Sequence, residues 1–176
     1  ISEMAQKFLN HPERISVGET NLPTINILQE IHKINQSEKF EQLKIELLER
    51  TGSVILFVKT KRSADKIARQ LRSDKFNAEA IHGDLRQSRR DKVMMKFRKN
   101  AFQILVATDV AARGLDIPLI EHVINYDIPQ NPEDYIHRIG RTARAGAKGK
   151  ALTFITPADK KNWGLVEKLI NLDGPQ

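Results

Sequence analysis

A short stretch of the chain, residues 135–146 with the sequence YIHRIGRTARAG, concentrates side chains that could bind an anion. Arg138, Arg141 and Arg144 follow one another at steps of three residues, and His137 lies four residues before Arg141; such steps place side chains on one face of a helix. Arginine carries a planar fork of donors that suits phosphate oxygens, and it stays charged at any working pH. No acidic residue lies within the stretch, so the pattern favours an external anion. A solvated basic face near a helix C-terminus is the alternative.

The segment from Thr108 to Asp116 is a second candidate. Thr108 is either a helix cap or part of a phosphate site, because a helix N-terminus presents unpaired N–H groups. Gly114 is either an ordinary turn glycine or a position where a nucleic-acid backbone approaches the main chain closely. Asp116 is either a turn residue before Pro118 or a carboxylate that accepts ribose hydroxyls.

Two shorter segments carry similar side chains. Gly83, in the sequence His82-Gly83-Asp84, has the same two interpretations as Gly114. Gln87 and Arg90 lie one helical turn apart, and such a pair, taken alone, is typical of a solvated surface.

The composition excludes several classes of protein. The 176 residues fit one α/β domain, and 29 Lys and Arg against 22 Asp and Glu give a charge of +7, which favours a nucleic-acid partner. The absence of cysteine excludes disulfides and thiolate metal sites, and the five histidines lack a paired ligand spacing, so we predict no protein-held metal. We find no membrane-spanning apolar run and no signal peptide, and therefore expect a cytoplasmic protein without a membrane partner.

Apolar periodicity predicts alternating strands and helices. Residues 54–58 form a continuous apolar run, which is typical of a strand buried on both faces of a parallel sheet. Pro132 suits the first position of the helix that carries the arginines. The other predicted strands are 24–34, 78–81, 103–107, 122–126 and 150–155, and the other predicted helices are 37–52, 63–73, 87–99 and 157–172. This alternation predicts a single α/β domain, a doubly wound parallel sheet with helices on both faces.

Ligands of doubly wound folds bind beyond the carboxyl ends of the strands. Polar segments follow four of the predicted strands in this sequence, at 59–62, 82–86, 108–116 and 127–129. We therefore predict that their hydroxyls, arginines, aspartates and glycines cluster at one edge of the sheet and form the functional site.

Together these segments resemble the C-terminal RecA-like domain of DEAD-box ATP-dependent RNA helicases, over roughly residues 24–172. Residues 57–60 (FVKT) are similar to motif IV of that family, and residues 87–90 (QSRR) to its Q-x-x-R element. Residues 107–116 (ATDVAARGLD) are similar to motif V, and residues 137–144 (HRIGRTAR) to motif VI. The two long motifs occur in the family's order and spacing, which makes the resemblance specific.

The resemblance implies ATP and Mg²⁺ as cofactors. Arg141 and Arg144 are expected to contact the terminal phosphate, with Arg144 as the arginine finger, and Asp116 is expected to hold the ribose. The sequence contains neither a G-x-x-x-x-G-K-[ST] loop nor an Asp-Glu-Ala-Asp segment. The phosphate cradle and the metal are therefore expected in another RecA-like domain, and this chain alone is expected to hydrolyse ATP negligibly.

The resemblance also implies contacts to that domain and to RNA. His137 and Arg138 are expected to reach acidic residues of the partner domain, while Asp109 orients the arginines. The residues implied to line the RNA track are Thr60, Gly83, Arg90, Thr108, Arg113 and Gly114. Since phosphate contacts carry no sequence information, the RNA target is not specified.

The expected organisation has three parts. Residues 1–23 are interpreted as the end of a preceding domain and a linker, residues 24–172 as the RecA-like domain, and residues 173–176 as a tail. The chain opens at Ile1 without a methionine, so we expect a longer parent chain and, by default, a monomer. Two other functions stay open: a non-catalytic RNA-binding scaffold, and the second domain of a superfamily 2 DNA helicase.

Overall fold

The computed structural model describes residues 13–15, 27–142 and 148–172. A seven-stranded sheet in the order β1-β2-β7-β6-β3-β5-β4 forms its centre. All neighbouring strands are parallel except β1, which pairs with β2 in the antiparallel direction. The strands are β1 Glu13–Ile15, β2 Ile27–Lys33, β3 Val54–Phe57, β4 Ala78–Ile81, β5 Ile104–Ala107, β6 His122–Asn125 and β7 Gly149–Ile155.

The described residues contain six α-helices, of which the first five connect successive strands and the last follows β7. They are α1 Lys39–Leu48, α2 Lys61–Ser73, α3 Gln87–Arg98, α4 Asp109–Arg113, α5 Pro132–Ile139 and α6 Lys160–Leu172. Short 3-10 turns at Gln36–Glu38 and Pro157–Asp159 lead into α1 and α6. None of these helices is long and apolar enough to cross a membrane.

The core lies on both faces of the sheet because successive strand residues point to opposite sides. In β3, Ile55 and Phe57 belong to a cluster with apolar residues of α3, α5 and α6. Val54 and Leu56 belong to a second cluster with residues of α1 and α2. All residues of β3, β5 and β6 are buried, as expected for central strands of a parallel sheet. The predicted doubly wound α/β fold is therefore confirmed.

Two parts of the sequence-based prediction differ from the structure. The sequence showed no strand at Glu13–Ile15, which instead extends the sheet beside β2. The helix that begins at Pro132 ends at Ile139, so it does not carry the whole arginine stretch. The predicted helical segment before His11 and the predicted linker at 17–23 lie outside the described residues.

Candidate functional site

The polar segments that follow four parallel strands meet at the carboxyl edge of the sheet. Register ties β3 to β5 and β6, and β5 to β4, so that these strands end side by side. A cleft at this edge is lined by Phe57, Asp109, Ala112, Arg113, Asp134, His137, Arg138 and Arg141. The structure thus brings the predicted motif V and motif VI residues together.

Arg138 is the buried centre of this cleft, with a relative exposure of 2%. Its Nε and Nη2 donate to the two carboxylate oxygens of Asp109, at 2.7 and 2.8 Å. Its Nη1 donates to the main-chain oxygen of Asp127 at 2.6 Å and to Oδ1 of Asn125 at 3.3 Å. The guanidinium also lies over the ring of Phe57, 4.9 Å from the centroid. This two-point ion pair joins the start of α4 to the end of α5.

The prediction that the four cationic residues share one helix face is wrong. His137 and Arg138 are consecutive residues, about 100° apart on a helix, so one is exposed while the other is buried. The helix ends at Ile139, with Gly140 as its C-cap, and Arg141 lies beyond it. Arg144 lies outside the described residues.

Within this domain the charge of the buried Arg138 is balanced by Asp109. The expected contact of Arg138 with acidic residues of another domain stays a prediction. Asp109 is expected to orient the arginines, and its carboxylate accepts hydrogen bonds from the guanidinium of Arg138 directly. His137, whose side chain is 67% exposed, is still available for an interdomain contact.

Asp134 holds two further cationic residues of the cleft. It forms an ion pair with Arg113, and this carboxylate raises the pKa of the Arg113 guanidinium. Nδ1 of His137 lies 3.7 Å from Oδ1 of the same carboxylate. The sequence analysis missed Asp134, although its spacing of three residues from His137 on a helix was a usable signal.

Arg141 emerges at the same cleft, one residue past the C-cap of α5. Its Nη2 lies 3.4 Å from the main-chain oxygen of Ala112 in α4. Its own main-chain oxygen accepts a hydrogen bond from the N–H of Ile120 at 3.2 Å. The hydroxyl of the next residue, Thr142, donates to the main-chain oxygen of Glu121 at 3.3 Å. These bonds fix where the Arg141 side chain leaves the main chain.

Asp116 lies in the loop after α4 with its side chain exposed. Its main-chain oxygen accepts a hydrogen bond from Nη2 of Arg98 at 2.6 Å, and the neighbouring Ile117 is buried. Among the described residues, no side chain forms a hydrogen bond or an ion pair with the Asp116 carboxylate. The carboxylate is therefore available to accept hydroxyl donors from a ligand.

The two threonines that follow strands behave differently. The hydroxyl oxygen of Thr60 accepts the N–H of Ser63 at 3.1 Å and caps α2. Thr108 precedes α4 in the same way, is almost buried, and makes no capping hydrogen bond. The cap interpretation therefore applies to Thr60 and is not supported for Thr108.

Gly83 lies in a turn held by its neighbours. Nε2 of His82 lies 2.9 Å from a carboxylate oxygen of Asp65, and Nδ1 of His82 accepts the main-chain N–H of Asp84 at 3.3 Å. Nζ of Lys61 lies 2.7 Å from the Asp84 carboxylate, which lowers the pKa of that carboxyl group. The His82–Asp65 and Asp84–Lys61 contacts tie the turn to α2.

Neither Gly83 nor Gly114 is required by the conformation of the chain. No atom of the described residues lies within 4 Å of the position that a Cβ would take at either residue, and neither has a left-handed φ. Both interpretations therefore stay open: each residue lies in an ordinary turn, and the open space above it suits close approach of a ligand backbone. Arg90, the remaining residue of the predicted track, is half-buried, and its Nε has no hydrogen-bond partner among the described residues.

Sequence reasoning did not single out the side chain of Asp127, although the segment that contains it was assigned to this edge. One carboxylate oxygen pairs with Nζ of Lys39 at 2.9 Å, and the other accepts the main-chain N–H of Lys59 at 2.9 Å. The buried ammonium of Lys39 also lies over the ring of Tyr126. Asp127 therefore ties the segment after β3 to the end of β6.

Comparison with known proteins gives a consistent result. Residues 36–146 match the family described as the helicase conserved C-terminal domain. The chain is 46% identical over 160 residues to the DEAD-box ATP-dependent RNA helicase CshA of Geobacillus kaustophilus, a match that covers 90% of this chain and 34% of the relative. The chain thus spans about a third of the length of the curated relatives it matches.

Solved structures agree with this assignment. A DEAD-box protein from Methanococcus jannaschii superposes with a TM-score of 0.74 at 45% identity, covering 80% of this chain and 39% of that one. The C-terminal domain of the DEAD-box protein Dbp5 superposes with a TM-score of 0.70 at 37% identity, covering 80% of each chain.

Proposed function

Because the chain belongs to the helicase conserved C-terminal domain family, in its DEAD-box branch, we propose that it is the C-terminal half of an ATP-dependent RNA helicase. It would supply phosphate-binding arginines and an RNA-backbone surface to a P-loop RecA-like domain. The convergence of the motif V and motif VI segments on one cleft, joined by the Asp109–Arg138 pair, is the observation that carries this proposal.

The residues of the cleft fit a nucleotide phosphate. Three arginines, Arg113, Arg138 and Arg141, face two carboxylates, Asp109 and Asp134, so the cleft keeps an excess of one positive charge without counting His137. The two carboxylates already hold Arg113 and Arg138, and the arginine-rich lining of the cleft favours an anion such as a phosphate. Arg144, three residues further along, would add a second arginine as the finger, and Asp116 would accept the ribose hydroxyls.

RNA would lie along the neighbouring strand ends. Thr60, Gly83 and Gly114 are exposed in the segments that follow the strands, and Arg90 and Thr108 are less exposed. Contacts of this kind recognise phosphate and sugar rather than base sequence. ATP would bring the phosphoryl group, and Mg²⁺ held by the P-loop domain would offset its charge. Closure of the two domains would then bend one RNA strand and open a short duplex.

The test joins this chain to the P-loop domain of a DEAD-box relative and measures RNA-stimulated ATP hydrolysis. Arg144→Ala is expected to lower turnover by about a thousandfold while RNA affinity is kept, since a finger acts on charge that develops during phosphoryl transfer. Arg141→Ala is expected to raise the KM for ATP as well. Arg69→Ala, an exposed arginine of α2, is the matched control and should leave both quantities unchanged.

The remaining outcomes separate the alternatives. Turnover that survives Arg144→Ala would remove the finger role from this residue. RNA binding without any hydrolysis would favour the scaffold function, and equal stimulation by DNA would favour a DNA helicase. Full turnover by the chain without a P-loop domain would contradict the proposal.

A further inference from the structure

Helix α3 and its two flanking residues carry most of the net charge of the chain. Residues 86–99, the helix with one flanking residue at each end, contain seven Lys and Arg and one acidic residue, a net charge of +6. The whole chain has a net charge of +7, so the rest of the sequence is nearly neutral. A surface helix with mixed charges would be the usual outcome for a solvated face, and this helix departs from it.

The charges of α3 form a stripe. Arg89, Lys92, Lys96 and Lys99 follow one another at steps of three and four residues, and the buried Met94 lies on the opposite side. Such steps place the four cations on one side of the helix. With a rise of 1.5 Å per residue, the stripe is about 15 Å long.

Three of the four cations in the stripe have no acidic partner in the part of the chain that the structure describes. Arg89 lies 3.4 Å from a carboxylate oxygen of Glu79. Among the described residues, Lys92, Lys96 and Lys99 form no ion pair and no side-chain hydrogen bond. Three like charges at helical spacing repel one another and cost stability, and within the described part of the chain no carboxylate forms an ion pair with them.

The stripe begins close to the predicted RNA track at the carboxyl edge of the sheet. Helix α3 begins just after the turn that contains Gly83, at the carboxyl end of β4, and runs back along the face of the sheet. Arg89 therefore lies near the predicted track and Lys99 at the far end of the helix. A nucleic-acid strand that leaves the track at Gly83 would meet cations at each turn of α3.

We propose that Arg89, Lys92, Lys96 and Lys99 form a second contact surface for the RNA backbone, which extends the track along the outer face of α3. This proposal rests on the proposed RNA function and adds to it a surface outside the strand-end cluster. RNA is favoured over an acidic protein because the stripe is continuous with the predicted track. The stripe contacts phosphates only, so it adds affinity for longer strands without sequence preference.

The test compares two RNA lengths on the same chain. Fluorescent oligouridines of about 6 and about 16 nucleotides, within the range that single-stranded sites span, are titrated at several salt concentrations. The triple variant Lys92→Gln, Lys96→Gln, Lys99→Gln is expected to bind the long oligonucleotide at least about tenfold more weakly at 0.1 M salt. Its plot of log affinity against log salt should be shallower by about 2, since each lost phosphate contact contributes about 0.7. Binding of the short oligonucleotide should not change.

The control removes the same charge elsewhere. Lys160→Gln, Lys161→Gln, Lys168→Gln changes three exposed lysines of α6 and should leave both affinities as in the wild type. Because Lys96 is half-buried, the double variant Lys92→Gln, Lys99→Gln keeps the test valid if the triple variant folds poorly.

Two results would overturn the proposal in distinguishable ways. If the wild type binds both lengths with equal affinity and the triple variant matches it in affinity and salt slope, the stripe does not bind RNA. If the wild type binds neither length, the proposed RNA function itself fails, and this proposal fails with it.

Discussion

Asp109→Asn tests whether the buried ion pair with Arg138 holds the cleft together. The substitution keeps the size of the side chain and removes its charge. The guanidinium of Arg138, which is 2% exposed, then has a neutral amide in place of the carboxylate. Removing one partner of a buried pair costs about 3–5 kcal/mol. The Asp109 side chain is 23% exposed, and asparagine still accepts one hydrogen bond, so we expect a loss of about 2–3 kcal/mol. For a chain of this size the melting temperature should fall by about 5–10 °C.

The chain contains its own probe for this measurement. Trp163 is the only tryptophan, it is buried, and it packs edge-on against Tyr135 of α5 with ring centroids 5.5 Å apart. Urea unfolding followed by its fluorescence should give a lower midpoint and an unchanged slope for Asp109→Asn. The slope tests whether the variant exposes the same surface on unfolding.

The neighbouring Arg113–Asp134 pair is the matched control, since it has the same chemistry but an exposed guanidinium. Arg113→Gln should cost no more than about 1 kcal/mol. A double-mutant cycle with Arg138→Met should show a coupling of about 1–3 kcal/mol between positions 109 and 138. A loss below about 1 kcal/mol for Asp109→Asn, or a coupling near zero, would refute the argument that this pair stabilises the cleft.

Further predictions concern pH, packing and ligand approach. Burial lowers the pKa of His122, so its contribution to stability is complete above the ordinary pKa of 6.5 and is lost as the pH falls towards the folded-state pKa. The free energy of unfolding should fall by no more than about 1.4 kcal/mol per pH unit. His122→Gln should therefore flatten the profile of urea midpoints measured between pH 7.5 and 5.5. Gly52→Ala should lower the melting temperature, because φ is +86° there and a Cβ would lie 2.0 Å from the Glu121 carboxylate; the double variant with Glu121→Ala should recover the steric part only. Gly83→Ala and Gly114→Ala should leave the melting temperature unchanged and weaken RNA binding, whereas unchanged RNA binding would place the track elsewhere.

The sequence predicted the elements that depend on local pattern. The strand at Ala78–Ile81 and the helix start at Pro132 agree with the structure to the residue, because apolar residues bounded by polar turns and a proline at a helix start are local signals. The sequence did not predict β1 Glu13–Ile15, because a strand of three residues is too short to show alternation.

The contacts of the site depend on residues far apart in the chain. Asp109 and Arg138 are 29 residues apart, and nothing in their local sequence shows that they pair. Thr60 and Thr108 both stand between a strand and a helix, yet only the first caps its helix. Hydroxyl orientation and pairing are set by tertiary packing, which a single sequence does not reveal.

The end of α5 connects this packing to function. The spacing of the arginine stretch continues a helical pattern past Ile139, but the helix stops at Gly140. The chain is then held to the segment before β6, because the main-chain oxygen of Arg141 accepts a hydrogen bond from Ile120 and the hydroxyl of Thr142 donates one to Glu121. The buried side chain of Arg138 also holds the end of α5 in place, through its ion pair with Asp109. The main chain at Arg141 is therefore fixed by contacts within this domain, before any nucleotide binds. In the proposed helicase, Arg141 would therefore need no refolding to line the cleft. The predicted loss of stability in Asp109→Asn should accordingly be accompanied by a higher KM for ATP in the joined protein, with little change in RNA affinity.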